Sequence, residues 1–533
     1  AVGHAGGQGS SAYSQRELWA PSRVPEVNTR EVPKWMEADD IAAVVAGFAS
    51  AVKVAFDAGC DGVEVNAGQH SLVRQFMSGL TNQRDDEWGA DRTMFARQVL
   101  TAVRGAAGDG VVGLRFSGDE LAPWAGITPE HAPAMAAGLA EWIDYLVVVR
   151  GAIYSVEKTR PDFHEPVNFN VELCRSVRAA LPTRVVVVLQ GSVVDAADAA
   201  RFVADGLADA VEMTRAQIAD PDVVRKTAAG QAARPCIRCN QTCQVRDVRN
   251  PIVTCVGEPT SGRETEDPDW YEPATPRAVT VVGAGAAGLE CARVALTRGH
   301  RVRIVEQRDH LGGVAAVAGP GGPLVGWLGD ECRRLGASIE LSTAFTADAP
   351  AAPTPGDGVV VVAAGGRPGI RTYEADPDAV VVDVVAFYEG ASLPDGSIVV
   401  HDPIGGPIAI AVAERLGSRA ILVTPDLIAG NELSRSGDLA PANVRLQQAG
   451  VHIEKRAILR SVHVDHVEID DRFTGARRRI DAVAIVDCGY RMPADEPDVS
   501  RLPHVRAGDC VAPRTIHDAI LDGRRAALAI DRL

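Results

Sequence analysis

Residues 278–282 (AVTVV) run straight into Gly283-Ala284-Gly285-Ala286-Ala287-Gly288, and no other stretch constrains the fold as tightly. A G-x-G-x-x-G turn that follows a strand and opens a helix is the mark of a dinucleotide-binding α/β unit. Gly283 permits the tight turn, Gly285 lets backbone approach a pyrophosphate, and Gly288 lets helix pack on strand. The helix amino terminus then faces the phosphates. Glu306 ends the next strand about twenty residues on, where an acidic group binds a ribose hydroxyl pair. A purely structural glycine-rich turn is the rival reading. Gly508-Asp509, set before a helix, is the kind of element that closes on a ribityl chain, which favours FAD over NAD. Ala284 and Gly313 complete the expected nucleotide-binding set.

Just upstream, Cys236, Cys239, Cys243 and Cys255 stand at C-x2-C-x3-C-x11-C. Four thiolates so spaced suit a [4Fe–4S] cluster. Two disulfides would need an oxidising compartment. A structural zinc usually shows two matched C-x2-C knuckles, and this spacing is asymmetric. The other six cysteines (60, 174, 291, 332, 488 and 510) lie among apolar neighbours and are expected to be buried thiols.

A chain of 533 residues needs more than one core. A net charge of −16 argues against nucleic acid or an anionic membrane as partner. There is no apolar stretch long enough to span a bilayer and no secretory signal, so a cytoplasmic location is expected.

Up to about residue 230, short apolar runs at 62–66, 111–117, 145–150, 184–190 and 210–215 alternate with helical segments at 41–58, 94–107, 133–143, 171–181 and 196–204. This is the order of a (β/α)8 barrel, with its site expected at the carboxyl ends of the strands. With a stub at 1–4 the count is six strands, and the expectation is that the first two lie upstream of Ala1. Residues 231–275 form the cysteine-bearing segment and linker. Residues 276–390 and 480–533 make one Rossmann-like domain, interrupted by a second at 391–479. An Ala/Pro-rich piece at 349–355 reads as a loop. The second domain departs from the fingerprint: 401–407 (HDPIGGP) lacks the glycine spacing, and Asp402 puts a carboxylate where a pyrophosphate should sit. An NAD(P)H site and a degenerate Rossmann domain both remain open there.

The cysteine motif 236–243 (CIRCNQTC), the run 81–89 (TNQRDDEWG) and Ala219-Asp220-Pro221 resemble the old yellow enzyme branch that includes 2,4-dienoyl-CoA reductase and trimethylamine dehydrogenase. The resemblance covers nearly the whole chain. More narrowly, 6–14 (GGQGSSAYS) with Trp19-Ala20-Pro21-Ser22 resembles the FadH/OYE-type oxidoreductases of mycofactocin systems. It implies a TIM barrel carrying FMN, then the cluster, then a domain carrying FAD or a bare adenine nucleotide. Arg115 matches the arginine that faces the flavin pyrimidine edge. Gly191, Ser192, Thr214 and Arg215 match the barrel's phosphate-binding positions. The family's flavin-contacting glutamine would fall at Ala1.

The catalytic pocket departs from the family. Asn66 and Gln69 fall at the substrate-carbonyl positions, and Ser71 replaces the usual proton-donating Tyr. Amides donate hydrogen bonds but do not titrate. Proton transfer is therefore expected at His70 or Tyr154, whose rival roles are capping a loop and lining the pocket. The resemblance implies an oxidoreductase acting on a small-molecule substrate. In one direction NAD(P)H reduces FAD and the barrel reduces an enoyl or enone double bond. In the other the barrel oxidises an alcohol or amine and electrons leave to a redox carrier. A non-catalytic electron-transfer subunit is the third reading, and the oligomeric state is left open.

Overall fold

The computed structural model describes residues 1–244, 252–347 and 358–533; the loop expected at 349–355 lies outside them. The chain forms two compact units, Ala1–Ala216 and Gln217–Leu533.

In the first unit five parallel strands lie in sequence order: Gly62–Ala67, Val111–Ser117, Tyr145–Val149, Val186–Leu189 and Ala210–Val211. A sixth segment joins the free side of the first, where Val2 N–H donates to the Glu64 carbonyl at 2.8 Å and Val2 accepts from Asn66 at 3.0 Å. This is the β/α order of a TIM barrel, seen among the described residues as an open arc of six segments, as the strand count anticipates. Period-two alternation divides each strand. Val63, Val65, Val112, Leu114, Phe116, Leu146, Val148, Val187 and Leu189 point to one side. There they pack in a single core with Val44, Phe48 and Val52 of the helix Ala38–Asp57 and with Phe95, Val99 and Val103 of Met94–Ala107. The opposite parity holds Glu64, Asn66 and Arg115, which stay half-buried on the inner face.

Two expectations need correcting here. Thr214 and Arg215 do not end a strand; they open the helix Thr214–Ala219. The strand stops at Val211, and TRAQIA, rich in helix formers, has none of the alternation a strand needs. Cys60 is exposed rather than buried, because it falls in the solvent-facing turn after Ala38–Asp57; the other five non-motif thiols are buried.

The second unit contains two parallel five-stranded sheets. One runs Ser338–Glu340, Arg301–Val305, Ala278–Val282, Gly358–Val362, His504–Arg506. The other runs Val381–Asp383, Ala484–Asp487, Ile398–His401, Ala420–Val423, His452–Glu454. A strand from beyond residue 500 therefore completes a sheet begun before residue 300, and the whole second sheet lies between in sequence. The helix Ile516–Ala529 starts on a reciprocal cap: the Thr515 hydroxyl donates to Asp518 at 2.7 Å, and the Asp518 N–H donates back at 3.4 Å. Among the described residues, no helix is long and apolar enough to cross a membrane.

Candidate functional site

The nucleotide-binding turn has the local geometry its glycines require. Gly283 has φ +100°, and a Cβ there would lie 2.3 Å from the Ala363 carbonyl. A Cβ on Gly288 would lie 2.0 Å from the Gly283 carbonyl, so strand and helix meet at backbone contact. At Gly285 nothing lies within 4 Å of the added atom, which leaves the phosphate position open. Glu306, buried at the end of Arg301–Val305, accepts the Ala284 N–H at 2.7 Å and the Arg308 N–H at 2.9 Å. The Gly312 N–H donates to the Ala284 carbonyl at 2.8 Å, and a Cβ on Gly313 would lie 3.4 Å from the Gly285 Cα. Asp509 sits half-buried in the Gly508–Cys510 turn, and burial raises its pKa. A Cβ on Gly508 would touch the Ala287 side chain, so this turn rests on the same helix start. Gly283, Ala284, Gly285, Gly288, Glu306, Gly313 and Asp509 thus gather around one loop, and the residues fit a dinucleotide.

In the first unit the phosphate-type positions converge in part. Gly191 and Ser192 turn with φ +150° and +54°. Arg215 donates to the Ser192 hydroxyl at 2.6 Å and to the Pro161 carbonyl at 2.8 Å. The Thr214 hydroxyl turns away to Glu212 at 3.1 Å. Arg115 reaches across the inner face to Glu64 at 2.7 Å and Glu212 at 2.8 Å. Burial opposes its charge, and the two carboxylates outweigh burial and raise its pKa. Its positive charge is therefore held in place on the inner face.

Gln69, His70 and Tyr154 gather around a residue the sequence reading missed, Arg74. Its Nε donates to the Gln69 carbonyl at 3.2 Å and its Nη2 to Gln8 Oε1 at 2.9 Å, and its Nη1 pairs with Glu120. Both partners of the Arg74–Glu120 pair have fully buried side chains. His70 is exposed, yet the surrounding protein and then the Arg74 and Arg160 charges lower its pKa. Burial raises that of Tyr154, against the pull of Arg74. The Gln69 Nε2 is buried without a partner among the described residues. Asn66 stands apart, its Oδ1 taken by the Gly68 N–H at 2.8 Å. The signal that could have revealed Arg74 is its place in Leu72–Met77, every residue of which is buried. A cation there needs a buried acid. Glu120→Ala should cost about 3–5 kcal/mol. Chemical denaturation of the purified protein would read that loss.

Cys236, Cys239, Cys243 and Cys255 are all half-exposed and form no disulfide. Burial pushes Cys239 up to about 12, and Cys255, Cys243 and Cys236 add to the rise, so the four feel one another electrostatically. The donor set, four cysteine sulfurs that act on one another, fits an iron–sulfur cluster.

In the second sheet, Asp402 is 1 % exposed at the end of Ile398–His401. Its Oδ1 accepts the Gly405 N–H at 2.8 Å and the Ile404 N–H at 3.3 Å, just before the helix Pro407–Leu416. Burial raises its pKa to about 6, and the nearby Asp426 adds to the rise. A carboxylate already fills the anion position that this loop offers.

Residues 4–234 match the NADH:flavin oxidoreductase / NADH oxidase family, and 281–326 match an NAD(P)-binding Rossmann-like domain. A probable N-methylproline demethylase of Rhizobium meliloti (strain 1021) is 30% identical over 95% of this chain and 81% of its own. A metal reductase of Desulforamulus reducens is 34% identical over 64% of this chain, and the alignment spans only 52% of that protein. Among solved structures, histamine dehydrogenase from Rhizobium sp. 4-9 superposes with a TM-score of 0.87 at 25% identity, over 99% of this chain and 83% of that one. With a barrel that matches the flavin family and likeness that runs through both units, this chain belongs to the NADH:flavin oxidoreductase / NADH oxidase family, as a flavin-dependent oxidoreductase of the old yellow enzyme and trimethylamine dehydrogenase type.

Proposed function

We propose that this chain is a dehydrogenase that oxidises a small amine in the barrel and passes the electrons on to an external redox carrier. The observation that carries the direction is Asp402. An NAD(P)H pyrophosphate at the second Rossmann-like loop would need the Ile404 and Gly405 N–H groups that this carboxylate already occupies. It would also meet the charges of Asp402 and Asp426, and like charges at a helix amino terminus oppose an anion. The substrate class follows the relatives' names, a demethylase of N-methylproline and a histamine dehydrogenase.

The proposed organisation is an FMN barrel at 1–230, a cluster segment at 231–275, an FAD domain built on the sheet that holds Ala278–Val282, Gly358–Val362 and His504–Arg506, and a nucleotide-free insert; the insert is wider than the 391–479 expected from sequence, because Val381–Asp383 and Ala484–Asp487 pair in its sheet and not in the first. Arg115, Gly191, Ser192, Thr214 and Arg215 would hold FMN. The four cysteines would hold [4Fe–4S], and the Gly283–Gly288 loop with Glu306, Gly313 and Asp509 would hold FAD. When bound, the flavins would supply two-electron chemistry and the cluster one-electron transfer between them. The chain's own groups do the rest. Gln69 has a buried amide nitrogen free to orient substrate, and His70 and Tyr154 are the groups able to move a proton. Arg74, paired with Glu120, ties Gln69 and Gln8 into one frame, and burial, then the Arg74 and Arg160 charges, lower the proton affinity of His70. At neutral pH His70 is thus poised to accept a proton rather than to donate one.

The reverse reading, NADH-driven reduction of a double bond, draws on the family's description. Anaerobic mixing of flavin-loaded protein with NADH, and separately with N-methylated amines, separates the two. Bleaching of the flavin absorption by an amine, with NADH slow or inert, is the expected result. Rapid stoichiometric bleaching by NADH would reverse the assignment.

A further inference from the structure

The loop that carries Cys255 is anchored by an ionic network. Arg234, two residues before Cys236, has a 3 % exposed side chain. Its Nη1 donates to the Gly257 carbonyl, two residues past Cys255. Its Nη2 lies 3.2 Å from Glu290 Oε2, its Nε lies 3.6 Å from Glu258, and its guanidinium carbon lies 4.5 Å from the Trp327 ring centroid. Glu290, buried in the helix Ala286–Thr297, also accepts from Arg293 at 2.9 Å and from Arg524 at 2.7 Å. Arg524, buried in Ile516–Ala529, forks onto Glu258 at 2.6 and 2.8 Å. Three guanidinium groups face two carboxylates, and Asp220, which accepts the Arg234 backbone N–H at 2.8 Å, is itself paired with Lys226 at 2.6 Å, so one net positive charge remains.

We propose that this network sets the redox poise of the cluster: Arg234 acts as a positioning residue whose fixed charge, laid against both ends of the cysteine segment, stabilises the electron-rich state. The inference rests on the reading of Cys236, Cys239, Cys243 and Cys255 as cluster ligands. Cluster potentials follow local charge, hydrogen bonding and exposure to solvent, and a buried charge is poorly screened. Hydrogen bonds alone would make the network a clamp, and neutral replacements with the same reach would then leave the poise unchanged. The net cation argues against that reading, because a clamp gains nothing from an unbalanced charge.

The test is an EPR-monitored potentiometric titration of anaerobically purified, full-length, cluster-loaded protein. Arg234→Gln should lower the cluster's midpoint potential by at least about tenfold in the reduction equilibrium, ~59 mV for one electron. Arg234→Lys should recover most of that shift. Glu258→Gln, which removes a negative charge and leaves Arg234 in place, should move the potential upward, and it keeps the inference testable if Arg234→Gln loses its iron. Opposite signs for the two charge changes are the signature. An iron-loaded Arg234→Gln with an unmoved potential, or Glu258→Gln shifting downward, overturns the inference alone. Wild-type protein that holds no iron under the same purification removes the cluster reading and the inference with it.

Discussion

Cys239→Ser is expected to strip the chain of most of its iron and of the broad visible absorption that underlies the flavin bands. Cys239 is the member of the set held up at about 12 by burial, so without iron its proton stays on and the sulfur is a poor ligand. Iron bound by the four sulfurs would displace that proton and couple them. Losing one thiolate therefore costs both a bond and the electrostatic balance of the remaining three. Electron transfer between the two flavin sites should fall by orders of magnitude, while reduction of the barrel flavin by substrate persists. Iron and acid-labile sulfide per chain are the readout. Stoichiometric zinc without iron in the anaerobically purified wild-type protein would sink the assignment.

Replacing Gly285 by Val should empty the dinucleotide site almost completely and leave FMN in place. The basis is the contrast between neighbours. A Cβ at Gly285 meets nothing within 4 Å, so the folded protein tolerates the side chain. The open space it would fill is the route of the pyrophosphate. Gly288 is the control: there the added carbon would lie 2.0 Å from a carbonyl oxygen, and Gly288→Val should lower the melting temperature of the whole second unit. Acid extraction and separation of the two flavins, read beside thermal unfolding, distinguishes them. Retention of both flavins by a well-folded Gly285→Val protein would count against FAD at this loop.

What the sequence revealed, it revealed through local rules. Gly283, Gly285 and Gly288 encode backbone conformation and close approach, which the chain must satisfy wherever it folds. In the second unit the parallel strands Ala278–Val282, Gly358–Val362 and Ile398–His401 read as apolar runs because both of their faces are covered. The reading failed at strand ends, where Thr214 and Arg215 sit after the last ladder bond and turn into a helix instead. It also failed for charges that act in pairs from afar. Arg74 meets Glu120 across 46 residues, and Arg524 meets Glu290 across 234. Neither pairing leaves a periodic trace, since each residue type alone is ordinary. The Asp402 carboxylate lies between these cases. Its conflict with a pyrophosphate was legible in the sequence, whereas its hydrogen bonds to Ile404 and Gly405 needed coordinates.

The interleaved order of the two sheets in the second unit has a consequence for synthesis. On the ribosome, Gly358–Val362 pairs with Ala278–Val282 on one side while its other side waits for His504–Arg506. At ~5–20 residues per second that wait lasts on the order of ten seconds. Meanwhile the second sheet acquires its last strand, Ala484–Asp487, before the first is complete. Nascent chains would thus expose an apolar strand edge for that interval, which is a template for pairing with other chains. Slowing translation between codons 363 and 503 should therefore lower the soluble yield more than the same pause placed after codon 506.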